Sequence, residues 1–499
     1  MCLVVASEIS YSCRTAVATF WQRLFSFWTF DMTAAAPIVQ TAISDNSWTS
    51  HVRATLALGI PLIGAQLAQL GIHTTDVIIL GQLGPQYLAA IVLAGQFMFT
   101  IFMFGSGFSI AVVPMVAQAF GRGDVVSVRR SLRMGIWVAI GYWLLAQPAF
   151  FHAEAILLML GQKPEIAALA GRYVMIAEFG LLPGLLFVVL RAMVSAIGKA
   201  GIILYVTIAT LLLNAFFAYA LVLGHFGFPA LGMDGAAIVA VIVQTAGFAF
   251  IVAFVQSRPE TRRYELFVRF WRPDWHALWE VIHLGLPISV TILAEVSLFT
   301  AASLMMGWIG TNELAAHGIA LQLASIAFMI PLGLSQAATV LVGVAHGRGD
   351  HHALVRSSIT VTVIAALISG IGGLLFALLP DFFAGWFLDN SSKDAAAVLA
   401  TAGPLIVIAG VFQLVDGLQA IASGLLRGLK DARIPMMLAL IAYWPIGFFL
   451  AWLLAFPFGL GGIGIWLGFL IGLGSAAFML CLRFYILARR EIGVAGAVA

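Results

Sequence analysis

Long apolar runs broken by short polar stretches dominate this chain. Twelve runs fall at about 54–80, 88–119, 131–152, 165–197, 200–224, 232–257, 277–307, 313–345, 352–379, 395–427, 432–456 and 462–488. A helix needs about 20 mostly apolar residues to cross the hydrocarbon core of a bilayer, and each run meets that length. Membrane β-barrels instead show segments of about ten residues with alternating polarity; these runs are too long and too continuous for that. The pattern predicts an all-α polytopic membrane protein of twelve transmembrane helices. Composition agrees: 62% of the residues are hydrophobic and only 9% charged, where a soluble chain carries about 25% charged residues.

The basic residues give the helices a direction. Of the 25 Lys and Arg, 22 fall in the tails or the even-numbered connections, leaving only Lys163, Arg172 and Lys393 for the odd ones. The 22 include Arg122, Arg129, Arg130 and Arg133 after the second run, Arg191 and Lys199 after the fourth, and Arg427, Lys430 and Arg433 after the tenth. Positive charge is retained on the cytoplasmic side of a membrane. Both termini and every even connection are therefore expected in the cytoplasm.

The chain also contains itself twice. Gly121-Arg122-Gly123-Asp124 recurs as Gly347-Arg348-Gly349-Asp350, and a shift of 226 residues aligns Leu58–Asp124 with Leu284–Asp350 without a gap, with 24 identities in 67 positions. Pro61 meets Pro287, Gly81 meets Gly307 and Gln96 meets Gln322. Each GRGD is read as a tight turn leading from one helix into the next. Six helices per repeat is an even number, so both repeats insert in the same orientation. Halves of this kind carry substrate at their interface and alternate access by moving against each other. The predicted organisation is an N-terminal cytoplasmic segment (1–53), an N-lobe (54–257), a basic linker (258–275), a C-lobe (276–488) and a tail (489–499). The first of these is read either as a surface-lying segment or as sequence upstream of a start at Met32. Cys2, Cys13 and Cys481 are too few and too scattered for a disulfide framework or a zinc site.

Candidate chemistry lies in the charges inside the runs. Carboxylates within a membrane are costly and point to function; Asp76, Glu178, Glu295 and Asp416 stand out. Gln66, Gln69, His73 and Asp76 fall at helical spacing and form one polar stripe on the first run. Glu295 takes the repeat position of Gln69, while that of Asp76 is Ala302, so the two halves place their acids differently. Asp416 shares its face with Gln413 and has Gln419 one turn on. Glu178 lies where Arg172 and Lys163 are expected to neutralise it, a structural role. The histidines lack metal-ligand spacing on a common helix, and no metal site is expected. A carboxylate in low dielectric takes a proton, a metal cation or an organic cation as its partner. Two cations competing for one carboxylate give antiport, and 37 Phe and 13 Trp supply aromatic surface for an organic cation.

The stretches PLIGAQLAQLGIHTTDVIILG, LLLNAFFAYALVLG, AEVSLF, AAHGIALQLAS and VDGLQAIASGLLRGLKDARIP resemble, in order and at family spacing, the multidrug and toxic compound extrusion (MATE) family in its bacterial NorM-type branch. The similarity covers about 54–488. It implies two pseudo-symmetric six-helix lobes and export of drugs driven by entry of sodium or protons. By position it implies that Asp76 and its partner Asn214 bind the coupling cation in the N-lobe, and that Glu295 and Asp416 do so in the C-lobe. Gln66, Gln69, His73, Gln322, Gln413 and Gln419 are supporting or substrate-path candidates. Two departures bear on the ion. Phe412 stands where sodium-coupled relatives commonly have a tyrosine, and Ala218 where relatives often have a second Asn or Asp. Both remove oxygen ligands, which hard cations prefer, and this favours protons through Asp76, with transient sodium at Glu295 and Asp416 the alternative.

The expected partners are organic cations and drugs and the lipid bilayer, with no cofactor, no nucleic acid and a monomeric state. The alternative is a lipid-linked precursor flippase of the same superfamily, whose cargo favours basic residues in the cavity. No Walker motif, HExxH or GxSxG is present, which argues against an enzyme.

Overall fold

The computed structural model describes residues 47–387 and 395–498, apart from 267 and 269. The N-terminal segment up to residue 46, the 390–392 connection, Cys2, Cys13, Lys393 and Arg269 lie outside the described residues. Among those described there is no strand. Twelve helices are long and apolar enough to cross a membrane: α1 Trp48–Gly81, α2 Pro85–Gly121, α3 Val125–Phe151, α4 Pro164–Ala196, α5 Ala200–Leu223, α6 Gly232–Ser257, α7 Trp275–Ile309, α8 Thr311–Arg348, α9 His351–Leu378, α10 Ala395–Gly428, α11 Arg433–Ala455 and α12 Gly461–Val498. The predicted runs match all twelve. The largest differences are at three ends: α1 begins at Trp48 and α3 at Val125, each six residues before the predicted start, because Ser47 and Asp124 cap them by accepting from the Ser50 and Ser127 amides, and α12 runs ten residues past its predicted end to Val498.

The two GRGD turns are built alike. Gly123 and Gly349 have φ of 72° and 71°, the left-handed region that glycine enters without a Cβ penalty. The following Asp124 and Asp350 amides bond back to the Ala119 and Ala345 carbonyls at 3.0 and 3.1 Å, closing the preceding helix in a Schellman arrangement. Each aspartate then caps the next helix, accepting from the Ser127 and Ala353 amides. The Ser127 hydroxyl also donates to Asp124, and these bonds hold its carboxyl below the usual range. The Asp124 cap is therefore at full strength at neutral pH and weakens as pH falls through that lowered value.

The repeat is visible in how the halves meet. α1 packs on α8 and α2 on α7, while α2 and α8 cross each other. Single contacts exchange under the 226-residue shift. A Cβ on Gly107 would meet Ser289, and one on Gly333 would meet Ile63. A Cβ on Gly121 would meet the Val344 carbonyl, and one on Gly347 the Gln118 carbonyl. These approaches all lie in the GRGD-proximal halves of α2 and α8, where the seam is tight. Toward the opposite end Gly318 has nothing within 4 Å, and Gln96 and Gln322 are exposed.

Because backbone carbonyls cannot move aside as side-chain ends can, Gly121→Ala and Gly347→Ala are each expected to cost about 1–3 kcal/mol. Gly141→Ala, which meets nothing within 4 Å, should be near neutral. Thermal unfolding of the three purified variants compares them directly.

The basic linker is fastened to the N-terminal half. Arg133 donates to the carbonyls of Glu265, Leu266 and Val268, Arg129 pairs with Glu265 at 3.1 Å, and Lys199 pairs with Glu260 at 2.6 Å. Trp271, Trp275 and Trp279 are exposed at this end, and Trp308 and Trp386 at the other, as two interfacial aromatic belts would be.

Candidate functional site

The N-terminal half brings Asp76 and Asn214 together, as the sequence reading expects. Asn214 Nδ2 donates to Asp76 Oδ1 at 2.9 Å. Asn214 is buried by the close packing of α5 on α1, and its Oδ1 has no hydrogen-bond partner. One turn on, Ala218 is buried and offers no oxygen. Tyr173 on α4, buried and electrostatically next to Asp76, completes the setting. Nothing in the sequence singled it out except its place beside Arg172 in an apolar run. Along the polar stripe, Gln69 and His73 are exposed and Gln66 is half-buried; His73 faces Gly95 on α2.

In the C-terminal half Glu295 and Asp416 are electrostatic neighbours. Asp416 is 5% exposed. Tyr443 is fully buried, and its hydroxyl hydrogen-bonds Glu295 and accepts from Gln419 Nε2 at 2.6 Å. Tyr443 reaches this point from Ala442–Phe448, a π-helical stretch of α11 that contains Pro445. A proline has no N–H to donate, and a widened turn accommodates it. Position 412 carries no hydroxyl, as the sequence reading has it, and Tyr443 of α11 brings a different one beside Glu295. Phe412 instead packs edge-on against Phe299 and Trp466, at centroid distances of 6.2 and 5.6 Å, and forms an aromatic wall with Phe469.

Four buried side-chain oxygens of α9 and α10 have no hydrogen-bond partner: Ser369 Oγ, Gln413 Oε1, Asp416 Oδ1 and Gln419 Oε1. Gly417 admits Ser369 at the helix crossing, where a Cβ would lie 2.6 Å from its hydroxyl oxygen, while Gly372 stands at ordinary contact distance from Gln413. Buried acceptors without donors are rare in folded proteins and call for an explanation such as an ion or water. No group of three or more His, Cys, Asp or Glu with metal-site geometry occurs among the described residues.

One charge has a partner other than the expected one: Arg172 pairs with Asp234 at 2.5 Å, not with Glu178. Glu178 bonds Gln147 of α3 at a 3-10 turn that interrupts α4; Arg172 and Glu178 are six residues apart and so fall on different faces. Arg427, the last residue of the tenth predicted run, lies in the last turn of α10. Its Nη2 donates to Ser335 Oγ on α8 at 2.9 Å, and Glu295 and Tyr443 are its ionisable neighbours.

Comparison with known proteins agrees with this architecture. The MatE family model matches residues 61–220 and 287–453, one match in each half. A probable multidrug resistance protein NorM of Agrobacterium fabrum is 69% identical over 90% of this chain and 97% of its own length. A probable NorM of Rhizobium meliloti is 62% identical over 92% and 98%. Among solved structures, the eukaryotic MATE transporter AtDTX14 superposes with a TM-score of 0.77 at 21% identity, over 89% of this chain and 98% of that one. A MATE structure in a bent conformation gives 0.82 at 18%, over 92% and 99%. With twelve spanning helices, a twofold-repeated architecture and these relatives, the chain belongs to the MATE family, in its NorM-type branch, and is a multidrug efflux transporter of a bacterial membrane rather than an enzyme.

Proposed function

We propose that this transporter exports cationic or zwitterionic amphiphilic drugs by antiport against protons or sodium ions. The GRGD end and both termini lie in the cytoplasm of the inner membrane. Lobes 54–257 and 276–488 move against each other about the 258–275 linker, and the protein works as a monomer. The observation that carries the reading is an interior carboxylate site in each half, with unpartnered oxygen beside it.

At Asp76 the fit is to a proton. A carboxylic acid and a primary amide can exchange two hydrogen bonds, N–H to carbonyl and O–H to carbonyl. The first is present in the Asn214–Asp76 contact. The second needs a proton on Asp76, donated to the orphan Asn214 Oδ1. Protonation thus satisfies an acceptor that the charged form leaves bare.

A second reading places sodium in the C-lobe. The unpartnered oxygens of Ser369, Gln413, Asp416 and Gln419, with the Tyr443 hydroxyl alongside, are the ligand type a hard cation takes. A pyrophosphate-carrying flippase cargo is disfavoured. Asp76, Glu178, Glu295 and Asp416 lie within spanning helices, whereas the buried basic side chains, Arg133 and Lys199, are engaged by the linker.

Uptake into inverted vesicles under an imposed proton or sodium gradient, against a panel of dyes and fluoroquinolones, tests the proposal. Uptake that follows neither gradient would refute it. For sidedness, tags in the GRGD turns and the linker are expected to report cytoplasm and tags at Gly84–Gln86 the exterior. An external linker would overturn the two-lobe assignment.

A further inference from the structure

Two helix crossings at the GRGD end are related by the repeat, and their chemistry differs. α1 crosses α9, and α7 crosses α3. Under the 226-residue shift Trp48, His51 and Thr55 of α1 correspond to Asp274, Ala277 and Val281. Arg356, Ser357 and Thr360 of α9 correspond to Arg130, Ser131 and Met134 of α3. The contacts correspond as well. The Arg356 guanidinium lies over the Trp48 ring, 5.6 Å from its centroid, where Arg130 pairs with Asp274 at 3.4 Å.

The α1–α9 crossing is polar and under-satisfied. His51 Nδ1 is 3.0 Å from Ser357 Oγ, while His51 Nε2 is buried without a partner. One turn further along each helix, Thr55 and Thr360 are buried, and neither hydroxyl has a hydrogen-bond partner. Threonines inside helices can bond the carbonyl four residues back, as Thr75 and Thr207 do; Thr55 and Thr360 do not. A buried polar group without a partner costs the hydration it lost. Parting α1 from α9 would return water to all three.

The α3–α7 crossing is apolar and strapped. Ala277, Val281 and Met134 are buried in one hydrophobic cluster, so parting them would expose apolar surface to water. The chain leading into α7 is bound along α3. Arg133 and Trp137 donate to the carbonyls of Leu266 and Phe270 at 2.9 and 3.1 Å, and the Trp137 ring stacks on Phe270. The Asp274 amide donates to the Met134 sulfur at 3.4 Å. α7 is also held on α2, where Ser289 Oγ donates to the Phe104 carbonyl at 2.6 Å. The repeat equivalent of Ser289 on α1 is Ile63, which has no hydroxyl to offer.

We propose that the α1–α9 crossing is the seam that parts toward the cytoplasm, while α3–α7 stays closed as the hinge, so that an amphiphilic cation enters past His51, Thr55, Ser357 and Thr360. The proposal rests on the lobe movement and sidedness proposed above, and adds to them which side opens. Opening on this side recovers hydration for orphan polar groups. Opening on the other would break the linker's bonds to α3 and wet an apolar contact.

The test is drug uptake into inverted vesicles by a chain carrying Cys2→Ser, Cys13→Ser and Cys481→Ser. In that background His51→Cys with Ser357→Cys, bridged by a short cross-linker that a reductant cleaves, should lose uptake by at least about tenfold and regain it on reduction. Ala277→Cys with Ser131→Cys, bridged in the same way, should keep the uptake of its unbridged form. Thr55→Val combined with Thr360→Val removes the two orphan oxygens with little change of shape. It favours the closed seam and should slow uptake by at least about tenfold. Uptake unaffected by the first bridge, or lost through the second, would overturn the proposal. If a cysteine pair is not recovered from membranes, the threonine double variant decides alone, and a wild-type rate from it overturns the proposal. Uptake by the wild-type protein that follows neither a proton nor a sodium gradient would instead remove the transport reading beneath it.

Discussion

Cells carrying Glu295→Gln or Asp416→Asn are expected to fall to the drug sensitivity of cells with no transporter, with normal amounts of protein in the membrane. Both substitutions are nearly isosteric, so packing is kept and charge is removed. The Tyr443 hydroxyl can still bond a glutamine at 295, and the aromatic wall of Phe299, Phe412 and Trp466 is untouched. What disappears is the negative charge for which an inward-moving cation and an outgoing cationic drug compete. Resistance in growth assays, read beside membrane immunoblots, separates loss of transport from loss of protein. Wild-type resistance from both variants would reduce the acids to structural hydrogen-bonding groups.

The second large effect is expected at Asp76. In proteoliposomes with a pH gradient and no sodium, the wild-type protein should export substrate and Asp76→Asn should not. Asparagine keeps the size of the side chain and accepts from Asn214 Nδ2 as the aspartate does. It can also donate to Asn214 Oδ1, but permanently. The site is then locked in the arrangement that protonation would create only part of the time. A switch of this kind works by biasing an element between two arrangements, and a substitution that fixes the bias removes the cycle. Transport that needs sodium and ignores the pH gradient would move the coupling ion to the C-lobe oxygens. In that case Phe412→Tyr tests whether a second hydroxyl strengthens the sodium response beyond the one that Tyr443 provides.

Much of this architecture can be read from the chain because the bilayer imposes a length and a polarity on every spanning helix. The ends of α2 and α8 are legible for a second reason: glycine in the left-handed region followed by a capping aspartate is a local signal, and it occurs twice. Asp76, Asn214, Glu295 and Asp416 are legible because a carboxylate or amide in an apolar run has few reasons to be there. Tyr443, Tyr173 and Ser369 are not, since tyrosine and serine are ordinary in membrane helices and nothing local says which face looks inward. Arg427 was counted with a basic connection because it sits in the last turn of α10, three residues before Lys430 and close to Arg433. Sequence distance to a basic connection hid the reach of its side chain back to Ser335. Arg172 shows the same limit: its partner, Asp234, is 62 residues away.

The widened turn at Ala442–Phe448 has a consequence for insertions and deletions. α11 serves two masters. Tyr443 must face the acid pair, while beyond the turn Ala451 must lie flat against Gly468 of α12. A regular helix advances about 100° per residue, and a π-helical stretch, which arises as a local departure from that advance, sets the phase between these two faces. Deleting one residue between Pro445 and Phe448 would let the turn close to an ordinary helix. Because a π turn holds one residue more than an α turn, that deletion would leave the half of α11 that carries Tyr443 and the half that docks on α12 nearly in phase. Deleting a residue just outside it, between Phe449 and Ala451, would rotate one half against the other by about 100°, so a length change of one residue, invisible to hydropathy, would be absorbed in the widened turn and disruptive beside it.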